Sequence, residues 1–131
     1  MSNAAPGFTR HPNHRVEITP STRHVRVLAG SEVVADTRRP LLVEESRHDP
    51  VWYLPPDEVN QGLMTPTDSS TYCPFKGHAS YYNLTAAERR LEDVAWSYRT
   101  PYDECRALAG YIAFYADRVT IEVDGEAQRP T

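Results

Sequence analysis

Short runs in which apolar and polar residues alternate recur along this chain, and turn formers close each of them within a few residues. His24-Val25-Arg26-Val27-Leu28 sends its valines to one side and charge to the other, and Glu32-Val33-Val34-Ala35-Asp36 follows after a turn at Ala29-Gly30-Ser31. Two alternating runs around a short glycine-containing turn predict a β-hairpin, with the valines on a core and Arg26 and Asp36 toward water. Val16-Glu17-Ile18 precedes it as a short strand ended at Pro20-Ser21. Arg38-Arg39-Pro40 turns the chain into Leu41-Leu42-Val43-Glu44, the next strand of a meander, and Val51-Trp52-Tyr53-Leu54 is stopped by Pro55-Pro56. Pro56-Asp57-Glu58-Val59 suits a single helical turn, with proline and acids at its start.

Residues 60–69 hold Gly62, Pro66, Asp68 and two serines, and predict a loop. Ser70–Cys73 and His78–Leu84 then read as the arms of a turn at Phe75–Gly77. Thr85-Ala86-Ala87-Glu88 reads as a hairpin loop, because β character resumes at Val94–Tyr98. Asp103–Leu108 is compatible with one or two helical turns. Gly110–Tyr115 and Val119–Val123 predict a closing hairpin around Asp117-Arg118. About ten short strands with turns at 8–12-residue spacing give an antiparallel sandwich or barrel-like fold with little helix. Residues 14–125 form one domain, with 1–13 a flexible arm or tag remnant and 126–131 a tail.

Composition narrows the classes. The chain has 131 residues, a net charge of -4 and no basic stripe, so nucleic acid is not an expected partner. No apolar run approaches the roughly 20 residues that span a bilayer, and no membrane partner is expected. The start, MSNAAPGFTR, has no apolar export segment. Two cysteines without one point to reduced thiols in the cytoplasm. A monomer or weak homodimer is the expected state.

The chemistry concentrates in Thr71–Asn83. Of 14 basic residues, 13 are arginines, and the only lysine, Lys76, falls here. Lysine is a compact point charge whose pKa moves on burial, where arginine is a planar, always-charged fork. Pro74 pushes Cys73 toward extended geometry, and Gly77 permits a backbone conformation that other residues avoid. Strict alternation puts His78, Ser80 and Tyr82 on one face and Ala79, Tyr81 and Asn83 on the other. Twelve of the 13 aromatic residues lie between Trp52 and Tyr115, so the first third reads as plain meander and the rest as the part carrying a pocket.

Three ordered runs carry a resemblance: Thr71-Tyr72-Cys73-Pro74-Phe75-Lys76-Gly77 with Ala79-Ser80-Tyr81-Tyr82; Ala95-Trp96-Ser97-Tyr98 with Pro101; and Gly110-Tyr111-Ile112-Ala113-Phe114-Tyr115. Over residues of roughly 14 to 125, the chain resembles an uncharacterised bacterial family, domain-of-unknown-function family 427. The resemblance implies a mainly β, β-tent-like pair of antiparallel sheets with one or two short helical segments. Methionine sulfoxide reductase B, the thalidomide-binding domain of cereblon and zinc-binding chaperone-like modules share that fold type, which transfers no function by itself. A nucleotidyltransferase label also attaches to the family. The chain shows no glycine-serine loop followed by spaced metal-binding aspartates, so that label gains no support from the residues.

Four-coordinate zinc wants four Cys or His ligands. Cys73 and Cys105 stand alone, and Cys73-Pro-Phe-Lys76 puts a lysine where a second cysteine would be. The expectation is a knuckle that has lost its metal, with Lys76 bonding carbonyls or a carboxylate; no metal and no cofactor are expected. The leading functional reading is a domain that binds an unidentified small molecule in an aromatic cleft around the Cys73–Lys76 turn, lined by Tyr72, Cys73, Lys76, His78, Trp96, Tyr98 and Tyr111. The bland alternative is that the tyrosines cover a small sandwich and that Cys73 is a small buried hydrophobe. An enzyme using Lys76 with Cys73 or His78 is the second reading. A protein-interaction module using sheet edges or a tyrosine-rich patch is the third.

Overall fold

Val25, Val27 and Ala29 are buried on alternate positions of β2 (Val25–Ala29), and β3 (Glu32–Thr37) pairs with it through a turn in which Gly30 takes a φ of 59°. The computed structural model describes residues 3–129; Met1, Ser2, Pro130 and Thr131, the ends of the expected arm and tail, lie outside the described residues. β2 also pairs with β10 (Thr120–Val123), and β10 with β11 (Glu126–Ala127), giving a four-stranded sheet in the order β11-β10-β2-β3. The residues expected to begin a tail are therefore an edge strand.

β4 (Leu41–Glu45) does not continue that hairpin as a meander. Thr37 ends β3, Pro40 is buried, and the chain crosses to a three-stranded sheet in which β4 lies between β1 (Val16–Pro20) and β5 (Val51–Tyr53). The third sheet has the order β6-β7-β8-β9, with β6 (Met64–Cys73), β7 (Gly77–Ala86), β8 (Arg89–Ser97) and β9 (Ile112–Phe114). Leu54 and Ile112 exchange both backbone hydrogen bonds, at 2.8 and 2.9 Å, so the three-stranded sheet runs on into the third one. The expected mainly β, antiparallel fold is borne out, and it does not close into a barrel.

β6 begins at Met64, so the loop expected at 60–69 is mostly strand. Pro66 is tolerated because β6 is an edge strand and the register shifts between Pro66 and Ser70. The β7–β8 turn is two residues long, and Ala87 and Glu88 take φ of 51° and 59°, the mirror-image turn that matches strand twist. The expected closing hairpin does not form. β9 pairs with β8 while β10 pairs with β2, and the turn after Tyr115 carries the chain between sheets. Helix is limited, among the described residues, to one α-helical turn at Gly7–Arg10 and 3₁₀ segments at Pro56–Glu58, Gln61–Leu63 and Asp103–Leu108. None of these is long and apolar enough to cross a membrane.

Two apolar clusters result. The larger, including Val25, Val27, Leu54, Leu84, Val94 and Ile121, fills the space between the four-stranded sheets. The smaller joins Leu41, Val43 and Tyr53 to Ala79, Tyr98, Cys105, Leu108 and Ala113. The candidate site lies where this second cluster gives way to polar groups.

Candidate functional site

The turn from β6 to β7 sets the first side chains. Cys73 pairs with Gly77, whose φ of 121° is one that a residue with a β-carbon rarely adopts, and Tyr102 N–H donates to the Lys76 carbonyl at 2.9 Å. Cys105 anchors the turn from beneath, its thiol donating to the Phe75 carbonyl at 3.5 Å. Burial pushes the Cys105 thiol up to about 11, so it stays protonated and acts as packing. The turn folds the Lys76 side chain inward rather than out: the residue is 6% exposed.

Glu45 meets it there. Leu41, Val43 and Glu45 are successive inward positions of β4, so the period of two that builds the apolar cluster delivers a carboxylate at its end. Lys76 Nζ donates to Glu45 Oε1, and His14 Nε2 bonds the other oxygen, Oε2, at 2.8 Å. Both Glu45 and Lys76 side chains are less than a tenth exposed. Desolvation raises the Glu45 pKa, but the hydrogen bonds from Lys76 and His14 outweigh it and hold the carboxyl below its usual value. Lys76 Nζ also lies 3.9 Å from Cys73 Sγ and 6.0 Å from the Tyr98 ring centre. Its third proton has no acceptor among the described residues.

His14 reaches Glu45 because the segment expected to be a loose arm is docked. Gly7 N–H donates to the Pro74 carbonyl at 3.0 Å, Ala5 N–H to Glu104 at 2.8 Å, and Ala5 is buried. The Phe75 ring is the anvil: His14 stacks on it at 3.9 Å and Phe8 meets it edge-on at 4.9 Å.

Above the Lys76–Glu45 pair opens a cavity of about 440 Å³, within the range of small-ligand sites. Tyr53, Tyr81, Trp96, Tyr98 and Tyr115 wall it, with Val43, Val51 and Cys73. Trp96 is the corner. Its Nε1 donates to the Tyr53 hydroxyl at 3.1 Å, Tyr53 stands edge-on to it at 6.2 Å, and Tyr115 tilts against it at 4.6 Å. Burial raises the pKa of both the Tyr53 and Tyr98 hydroxyls, so they remain neutral donors.

Of the residues singled out from sequence, Tyr72, Cys73, Lys76, Trp96 and Tyr98 line this cavity. His78 does not: one position past Gly77, it faces outward and packs on the half-exposed Tyr72 ring at 4.8 Å. Tyr111 is also displaced, since it precedes β9 and packs against the second apolar cluster away from the opening. Glu45, Tyr53, Tyr81, Tyr115 and His14 were not among the candidates. The inward parity of Leu41 and Val43 points to Glu45, and that of Ala79 to Tyr81; His14 carries no such signal. Among the described residues no three His, Cys, Asp or Glu side chains come together as a metal site.

The sequence pattern of a family described as "Domain of unknown function (DUF427)" matches residues 17–125. No curated protein matches the chain.

Proposed function

The chain belongs to the DUF427 family, and on that premise we propose that it binds a small molecule in the aromatic cavity above Lys76. One observation carries the reading: a buried amine, already neutralised by Glu45, holds an unspent N–H at the base of a cavity walled by aromatic rings. A flat ligand would rest its ring against Trp96 and Tyr115 and turn an acceptor oxygen toward Lys76. Because Glu45 cancels the ammonium charge, the base of the cavity favours a neutral acceptor such as a carbonyl over a full anion. Two free cysteines suit the reducing cytoplasm as the place where it acts.

Benzamide, a ring with one carbonyl, is the test probe. In a Trp52→Phe background Trp96 is the only tryptophan. Saturable quenching of its fluorescence by benzamide, weakened several-fold by Tyr115→Ala, is expected. Quenching that never saturates, or that ignores Tyr115→Ala, refutes the reading.

The enzyme reading keeps one specific support, the Lys76 amine 3.9 Å from Cys73 Sγ in the wall of the cavity. It requires Cys73 to react with iodoacetamide at neutral pH far faster than an ordinary thiol. An ordinary rate leaves binding alone.

A further inference from the structure

Beside the aromatic cavity, and sharing His14, His48 and Phe75 with it, lies a second hollow of about 620 Å³ formed by the docked N-terminal segment and the β4–β5 turn. Its charged and titratable lining is wholly basic: Arg10, His11, Arg47 and His48, with His14 already committed to Glu45. That is unexpected in a chain with 18 acidic and 14 basic residues. Elsewhere, Arg15, Arg23, Arg26, Arg39, Arg90 and Arg106 each stand within 3.9 Å of a carboxylate oxygen. Arg38, Arg89 and Arg129 also lack a carboxylate partner among the described residues, and Arg99 and Arg118 reach only the Tyr82 hydroxyl and the Glu92 carbonyl, but none of these five lines the hollow. Arg10 and Arg47 have no ion pair among the described residues. His48 is fixed by a bond between its Nδ1 and the Ser46 carbonyl at 2.9 Å, which leaves Nε2 as its open nitrogen.

An unpaired guanidinium is a planar fork that matches a phosphate or carboxylate, and two of them beside imidazoles form an anion site of ordinary chemistry. The position adds the second half of the argument. Asp49, which also has no ion pair among the described residues, lines the aromatic cavity but not the basic hollow. An anionic group is therefore repelled at the cavity and attracted at its neighbour. We infer that the basic hollow is the anion subsite of the same ligand, so that the domain takes a ring compound bearing a phosphate. The ring lies against Trp96 and Tyr115, and the phosphate lies between Arg10 and Arg47. This inference rests on the aromatic-cavity reading for the ring and on the hollow alone for the phosphate.

Three probes separate the parts: benzamide, phenyl phosphate and inorganic phosphate. Trp96 fluorescence reports the ring, and the imidazole C–H resonances of His11 and His48 report the anion. The test variant is Arg10→Gln/Arg47→Asn, asparagine being chosen because residue 47 has a φ of 64°. Arg38→Gln, an exposed arginine away from the hollow, removes one charge as a control. Phenyl phosphate is expected to bind wild type with a Kd about 10- to 100-fold below that of the double variant, the worth of one charged hydrogen-bonding group. Benzamide binding and the Arg38→Gln protein should change less than twofold. Equal binding of phenyl phosphate to wild type and double variant overturns the subsite while leaving the aromatic cavity standing. An equal loss in Arg38→Gln overturns it too, as an effect of overall charge. Inorganic phosphate that shifts His11 and His48, with neither ring probe quenching Trp96, upholds the anion subsite and overturns the aromatic-cavity reading. Silence from all three probes refutes both.

Discussion

Breaking the Lys76–Glu45 pair from each side in turn gives the sharpest account of what the pair does. Removing one partner of a buried ion pair costs about 3–5 kcal/mol, because the survivor stays desolvated and unpaired. Glu45→Gln falls in that range: Lys76, 6% exposed, keeps only an amide oxygen and the Cys73 sulfur. Lys76→Met is milder, since His14 still bonds Glu45 Oε2 at 2.8 Å. A hydrogen bond to a charged group is worth about 1.5–3 kcal/mol, so a loss of about 2 kcal/mol is expected at neutral pH. Set against a total stability of about 5–15 kcal/mol, both proteins fold. Urea denaturation compares wild type, both single variants and Glu45→Met/Lys76→Met. The double variant should cost less than Glu45→Gln alone, because apolar side chains replace both charges at once. The sign with pH follows from Glu45. Its folded pKa lies below the ordinary 4.5, so its contribution is complete above that value and is lost as pH falls through the lower folded one. Wild type should therefore lose stability below about pH 4.5 more steeply than the double variant does. A double variant no more stable than Glu45→Gln, with an unchanged acid limb, refutes the reasoning.

Other outcomes follow from single features. Gly7→Ala places a methyl group 2.6 Å from the Phe75 ring and 2.9 Å from the Pro74 carbonyl, and Phe75 is pinned by His14 and Phe8. A loss of about 1–3 kcal/mol, with faster amide exchange confined to residues 3–14, is expected; exchange unchanged there argues that the segment is not docked. Glu88→Gly relieves a φ of 59° and should stabilise by about 0.5–1 kcal/mol in a thermal melt, whereas a destabilised protein contradicts the turn assignment. Iodoacetamide at pH 8 should label Cys73 well before Cys105, whose thiol is pushed to about 11; mass spectrometry that finds Cys105 first contradicts its burial.

Much of this was legible wherever neighbours in sequence are neighbours in the fold. The β2–β3 hairpin and the β6–β7 arms came from alternation and glycine, and the register Tyr72↔His78 follows from the same turn. The strand partners of β4, β9 and β10 were not legible, because pairing across sheets leaves no local mark. The hairpin loop at Thr85–Glu88 was legible from the β character that resumes after it, although Ala87-Glu88 lacks the glycine that normally announces positive φ. Strict alternation rightly separated His78 from Tyr81. The error was to keep His78 in the site because it is near Lys76 in sequence. The anchor of the site spans three remote pieces: Glu45 is 31 residues from His14 on one side and 31 from Lys76 on the other. Lysine scarcity exposed one of them. The inward parity of β4 marks the second. The third depends on an arm whose polar composition reads as loose.

Stability alone gives no reason to keep an ammonium and a carboxylate under this cavity. A well-packed apolar pair of similar volume serves a core as well or better by about 1–4 kcal/mol. What an apolar pair cannot supply is a fixed N–H at the base of the cavity. The pair does this without leaving a net charge that would repel neutral ligands or demand a counter-ion. The Glu45→Met/Lys76→Met protein therefore separates the two explanations. If the pair is a strut, that protein folds and binds benzamide as wild type does. If the pair presents the N–H, it folds and Trp96 no longer senses benzamide, while phenyl phosphate, held at Arg10 and Arg47, loses only the part of its affinity that came from the ring. Benzamide affinity unchanged in a folded double variant would leave Lys76 a packing residue and move the recognition entirely to the aromatic walls.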